Sequence, residues 1–133
     1  MPLRRADLGE GGKTFPSPWR GRIDHVHQMR VNIAALTAKE VDPNGFLKPG
    51  IPLNNANPAT LVTSGAVFGC TIEPLKVAKS NSTADLTAAG VQELTVGTFG
   101  QLTRALVEDI LDRPLTAPEV AGFAAAGSTL KLL

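Results

Sequence analysis

Val91-Gln92-Glu93-Leu94-Thr95-Val96, a strand closed by Gly97-Thr98-Phe99-Gly100, decides the class of the fold. Its side chains alternate between polar and apolar, the period of a strand with one buried face. The run Ala66-Val67-Phe68-Gly69-Cys70-Thr71-Ile72 is continuously apolar and β-rich, so it reads as a buried strand. Gly69 inside it marks a bulge or a close packing contact, and Pro74 limits it to an edge or ends it. Arg30-Val31-Asn32-Ile33 alternates again. Between these runs lie turn signals. Asp42-Pro43-Asn44-Gly45 combines a proline that presets φ with a pair that tolerates positive φ, and Lys48-Pro49-Gly50 reads as a type II turn. Pro52 to Pro58 is irregular, and Lys79-Ser80-Asn81-Ser82-Thr83 is a polar loop.

Helices are expected only in the last third. From Gln101 to Leu111, Leu102, Ala105, Leu106 and Ile110 recur at spacings of three and four, which places them on one helical face. Pro114 stops that helix. Thr116-Ala117-Pro118-Glu119 is a capping box that opens a second helix running through Val120, Phe123 and Ala124 to Gly127. Thr129 to Leu132 alternates as a short last strand. The expected fold is a β-rich α+β domain, compact and barrel- or tulip-like, with one or two short C-terminal helices. Leu102, Leu106 and Phe123 are expected to supply the core beneath the helices.

The composition sets limits. The chain has 133 residues, with 13 glycines and ten prolines, more than the usual combined share of about 12%. Charged residues make up 19%, below the usual level of about 25%. A length of this order suits one domain. A single cysteine excludes an intramolecular disulfide framework and a multi-cysteine zinc site. A net charge of +1 is not the footprint of a nucleic-acid binder. No apolar run has the length of a membrane span or of a secretory leader, so synthesis in the cytoplasm and no membrane partner are expected.

The charge is unevenly spread. Residues 1–30 hold Arg4, Arg5, Lys13, Arg20, Arg22 and Arg30 against Asp7, Glu10 and Asp24, whereas the remainder is slightly acidic. This segment also carries both histidines, the one tryptophan and a Gly/Pro-rich run from Gly9 to Gly21 with no helical or strand period. We therefore expect an extended N-terminal arm over residues 1–30 and a folded body over 31–133. A purely solvated tail seldom carries two large aromatics such as Phe15 and Trp19, and tryptophan and arginine (Trp19, Arg4, Arg5, Arg20 and Arg22 here) are typical interface anchors.

Reactive chemistry is scarce. His25 and His27 are two apart, and Asp24 adjoins them, but a tetrahedral metal needs further ligands. Cys70 sits in an apolar run without a base, as a small hydrophobe does. Glu108, Asp109 and Asp112 read as a solvated helix face. Gly9-Glu10-Gly11-Gly12-Lys13-Thr14 ends like a phosphate loop but has Leu8 where the first glycine belongs. No catalytic residue, metal or cofactor is expected, and a structural or interaction protein is favoured over an enzyme.

Three segments carry a family resemblance. Gly65-Ala66-Val67-Phe68-Gly69-Cys70-Thr71, Val91 to Phe99, and Ala125-Ala126-Gly127-Ser128-Thr129-Leu130-Lys131-Leu132 resemble, in order, segments of the head decoration (cement) proteins of tailed phages, the phage lambda head decoration family. Leu36 to Leu61 is also similar to related cement proteins, and the resemblance spans roughly residues 31–133. It implies a β-rich domain that assembles as a homotrimer on the outer face of the expanded head and clamps neighbouring major capsid subunits. It implies, too, an N-terminal segment that adds to a capsid strand. The composition of the arm departs from that family's pattern. Rival expectations are a small ligand-binding β-barrel or enzyme with a pocket beside His25 or His27, and another virion part such as a tail or neck protein.

Overall fold

A computed structural model describes residues 15–133. Its elements run β1 (Trp19–Asn32), a 3-10 turn (Ile33–Ala35), β2 (Phe46–Leu47), β3 (Pro52–Leu53), β4 (Gly69–Thr71), β5 (Leu75–Lys76), α1 (Thr83–Ala89), β6 (Val91–Leu102), α2 (Arg104–Leu111), α3 (Ala117–Ala124) and β7 (Leu130–Leu132). The fold is β-rich α+β. Five strands form one open sheet in the order β1-β6-β4-β3, with β7 also paired to β6, and β2 and β5 make a separate two-stranded sheet. The large sheet does not close into a barrel, and β1 is an edge.

β6 is the spine. It pairs antiparallel with β1 on one side, and on the other with β4 at Val96–Gly97 and, in parallel, with β7 at Gly100–Leu102. The strand was expected to close at Gly97-Thr98-Phe99-Gly100 but continues to Leu102. Its glycines make room for an aromatic ring. A Cβ on Gly97 would lie 2.5 Å from Trp19 Cη2, and one on Gly100 would lie 3.1 Å from Trp19 Cζ3. The indole therefore lies across the strand where side chains are missing. Gly69 is likewise a packing glycine, since a Cβ there would meet Val96 Cγ2 at 2.7 Å.

The turns form as their residues require. Gly45 N–H donates to the Asp42 carbonyl at 2.9 Å, with Gly45 at φ +82°, and Asp42 Oδ1 accepts from the N–H groups of Asn44 and Phe46. Gly50 sits at φ +86° after Pro49. Thr71 fastens this turn to the sheet: its hydroxyl donates to the Lys48 carbonyl at 2.7 Å and accepts from Ile51 N–H at 2.9 Å. Pro52–Leu53, expected to be irregular, is β3 and pairs with Cys70–Gly69.

The helices differ from expectation in phase. Leu102 is fully buried but ends β6, opposite Trp19 and Leu132, so the helix starts two residues later. The buried face of α2 is then Val107, Ile110 and Leu111, while Ala105 is exposed and Leu106 half-buried. α3 opens on the expected capping box: Thr116 accepts from Glu119 N–H at 3.2 Å and Glu119 accepts from Thr116 N–H at 2.9 Å. It ends at Ala124 with Ala125 as C-cap, earlier than the expected Gly127. α1 lies outside the last third, to which helices were expected to be confined, and only its first residue, Thr83, falls in the expected polar loop. Ser82 caps it by accepting from Asp85 N–H, but Leu86 is its one buried side chain, so it shows no apolar period.

A buried ion triad ties the two C-terminal helices to the segment before β2. Arg113 donates through Nε to Glu40 at 3.0 Å and, as a fork, through Nη1 and Nη2 to the two carboxylate oxygens of Glu119 at 2.8 and 3.0 Å. Glu40 also accepts from the Thr37 N–H and hydroxyl. The hydrogen bonds to Glu119, more than the one to Glu40, push the Arg113 guanidinium further toward its charged form. Nearby, Leu115 N–H donates to Glu108 at 2.8 Å, and that bond, ahead of Arg104, holds the Glu108 carboxyl below its usual range.

Candidate functional site

The boundary drawn at residue 30 falls inside β1. Residues from Trp19 onward belong to the body, because Trp19 is a core residue: its indole is 8% exposed and its Nε1–H donates to the Thr71 carbonyl at 3.1 Å. This corrects its expected place as an arm anchor. A ring packed over Gly97 and hydrogen-bonded inside the fold is not available to a partner. Phe15 is half-buried, its ring 6.0 Å from Lys48 Nζ. Arg4 and Arg5, and the Gly9–Thr14 run, lie outside the described residues.

Arg20 and Arg22 are where an interaction site can be built. From Arg20 to Gln28 every residue of β1 except Ile23 is exposed. Among the described residues this stretch pairs with β6 alone; a second neighbour begins only further on, where Arg30 and Asn32 exchange backbone hydrogen bonds with Ala59. A row of backbone N–H and C=O groups therefore faces outward, an arrangement that templates pairing with another chain. Its register against β6 breaks between Arg20 and His25, and again between His25 and Val26. Such bulges re-aim side chains and increase local twist.

Two exposed apolar side chains lie here. Val26 is 60% and Phe99 45% exposed, and Phe99 meets His25 edge-on with ring centroids 5.7 Å apart. His27 meets Phe68 in the same way at 5.3 Å. The two histidines thus each cover an aromatic ring. Among the described residues, no group of three or more His, Cys, Asp or Glu is gathered to hold a metal. No described helix is long and apolar enough to cross a membrane. A cleft of about 380 Å³ is lined by Leu47, Ile72, Glu73, Leu75, Glu93 and their neighbours, and neither histidine lines it.

The remaining expected site residues separate. Leu102 and Phe123 are buried, Leu106 only half, and the three sit on β6, α3 and α2 respectively. Phe123 also lines a shallow cleft with Val120, Leu130 and Leu132 beside β7. Cys70 is buried in β4, and burial, more than the nearby Glu119 charge, pushes its thiol pKa well up. It is expected to resist a thiol reagent in the native protein and to react at the rate of unfolding. Rapid labelling without denaturant would contradict that burial.

Sequence reading missed the role of Lys131. It joins Arg20 and Arg22 in lining a single cleft although more than a hundred residues separate them. The alternation of Thr129 to Leu132 gave its exposure, but the parallel pairing of β7 with β6 was needed to give its neighbours.

No protein-family model, no curated protein and no solved structure matches this chain.

Proposed function

We propose that the chain is a structural virion protein that decorates the outer surface of an expanded phage head as a homotrimer and cements neighbouring major capsid subunits. The observation that carries this reading is the β1 edge over residues 20–28, unpaired on its outer side among the described residues and exposed on nearly all of its side chains. Soluble proteins usually blunt such an edge or cover it. A partner strand would gain main-chain hydrogen bonds there with little demand on sequence. The likeness of three segments to the cement family supports the same assignment. The work such a protein does is mechanical. Many copies act together on one shell, so each contact needs only modest strength. The partners are then the major capsid protein and further copies of this chain, and the location is the capsid surface after synthesis in the host cytoplasm.

The test is occupancy of purified expanded heads. Deletion through residue 25 would remove Trp19 and half of β1, and so would confound binding with unfolding. A cleaner pair is removal of residues 1–14 and, separately, the double substitution Val26→Lys with Gln28→Lys at exposed edge positions. The edge variant is expected to keep its thermal midpoint and lose about tenfold or more in occupancy, as loss of about 1.4 kcal/mol per site implies. Failure of the unaltered chain to occupy heads overturns the reading, and undiminished occupancy with both variants overturns the β1 edge as its contact.

A further inference from the structure

We infer that the cleft where the β1 bulge, the end of β6 and β7 meet is a docking site for an acidic segment of a partner protein. The inference rests on the reading of β1 as the adhesive edge and names the chemistry of what it meets. The cleft holds about 450 Å³ and is lined by Arg20, Arg22 and Asp24 of β1, by Phe99 to Gln101 of β6, and by Thr129 and Lys131. Three cations face one acid there. Asp24 stands 3.8 Å from Arg22 Nε, a long pairing between side chains that are 48% and 90% exposed. Arg20 and Lys131 have no ion pair among the described residues. Three like charges gathered around a single counter-charge favour an anionic occupant.

The site is built by the fold rather than by a run of basic sequence. The register break after Arg20 takes β1 out of step with β6, with Gly21 at φ +69° in open space. That bulge and the parallel seat of β7 bring the two arginines and Lys131 to one cleft. The Thr129 hydroxyl donates to the Thr98 carbonyl and so fixes the lead-in to β7 on β6.

The anion is better matched by carboxylates on a polypeptide than by phosphates. Arginine forks pair with carboxylates in a bidentate way. The half-exposed ring of Phe99 offers an apolar wall for the stem of a glutamate. The cleft contains its own acid, and the chain as a whole carries only +1, too little for the broad basic field that a nucleic-acid backbone needs. Exposed charges of this kind act chiefly on association rate and salt dependence.

The test is a nitrogen-15 NMR titration of the full chain with a short Glu-Ala repeat peptide, its Gln-Ala counterpart and oligo-dT. The glutamate peptide is expected to shift the amides of Arg20, Arg22, Gln101, Thr129 and Lys131. Its binding is expected to weaken about tenfold in the Arg22→Glu/Lys131→Glu double variant and to fall as salt is raised from about 0.05 to about 0.3 M. Absence of shifts in the cleft, equal shifts with the Gln peptide, or tighter binding of oligo-dT at the same amides overturns the inference. Head occupancy separates this inference from the decoration reading. If the double variant decorates heads normally while the Val26→Lys/Gln28→Lys variant does not, the cleft is wrong and the decoration reading stands. If the unaltered chain does not occupy heads, the decoration reading falls and the peptide titration still decides the cleft.

Discussion

Arg113→Met is expected to lower stability by about 3–5 kcal/mol, the usual cost of stranding a buried charge. That is a large part of the roughly 5–15 kcal/mol that holds a domain of this size together. The side chains of Glu40 and Glu119 are each only 1% exposed, and that of Arg113 is 16% exposed. Three hydrogen bonds from one guanidinium serve the two carboxylates. Methionine fills much of the volume but leaves both acids without their cation. The same network contributes little if it is removed whole, because a buried triad recovers in attraction roughly what its desolvation costs. Arg113→Met combined with Glu40→Gln and Glu119→Gln is therefore expected to regain most of the loss. Denaturant unfolding followed by the emission of the single tryptophan reads both results, since Trp19 is buried and the chain has no tyrosine. A loss below about 1 kcal/mol for Arg113→Met would mean that water screens the triad as it does a surface pair.

The triad also marks where sequence reading stops. Thr116 and Glu119 were legible as a capping box because both partners lie within one turn. The second duty of Glu119, as a partner of Arg113, and the burial of Glu40 depend on how α3 packs against a segment some eighty residues earlier. Charge alone gives no sign of that. The turns at Asp42–Gly45 and Lys48–Gly50 were legible for the opposite reason: their geometry is set by neighbouring residues. Helix phase fell between these cases. Leu102 has the right spacing for the face of α2, but pairing with Trp19 and Leu132 holds it in β6. α1 was missed because a seven-residue helix with one buried leucine has too little amphipathic signal to stand out from a polar loop.

The candidate site was legible in part. Arg20 and Arg22 are exposed and available, as their place in a basic, Gly-rich segment suggests. Trp19 is not, and the reason is visible in retrospect. A tryptophan needs a flat space against a strand, and Gly97 and Gly100 leave one on β6. Two glycines three apart in an alternating strand look like its end, when they are the footprint of a ring from elsewhere in the chain. Lys131 reached the cleft through β7, whose parallel pairing no local pattern encodes.

Trp19→Ala is expected to cost about 3–5 kcal/mol, the range for emptying a large aromatic site. Most of that loss is packing. The Thr71 carbonyl keeps a second donor, Gly50 N–H at 2.8 Å, so losing the indole N–H does not leave it bare. Trp19→Phe is accordingly expected to cost less, because it keeps a ring over the glycines. The interaction can be isolated by a cycle. Gly97→Ala places a Cβ within 2.5 Å of the indole and within 2.9 Å of Ile23 Cγ2, so it is expected to destabilise the wild-type chain. In the Trp19→Ala background the first of those contacts is gone, leaving only the mobile end of an edge side chain. The second substitution should then be nearly neutral, with a coupling of about 0.5–3 kcal/mol as found for residues in direct contact. Thermal unfolding followed by circular dichroism supplies all four corners without relying on the tryptophan signal. Strict additivity would show that the ring does not rest on Gly97. Coupling would show that this side chain helps clamp the N-terminal half of β1, and with it the edge over residues 20–28, to β6.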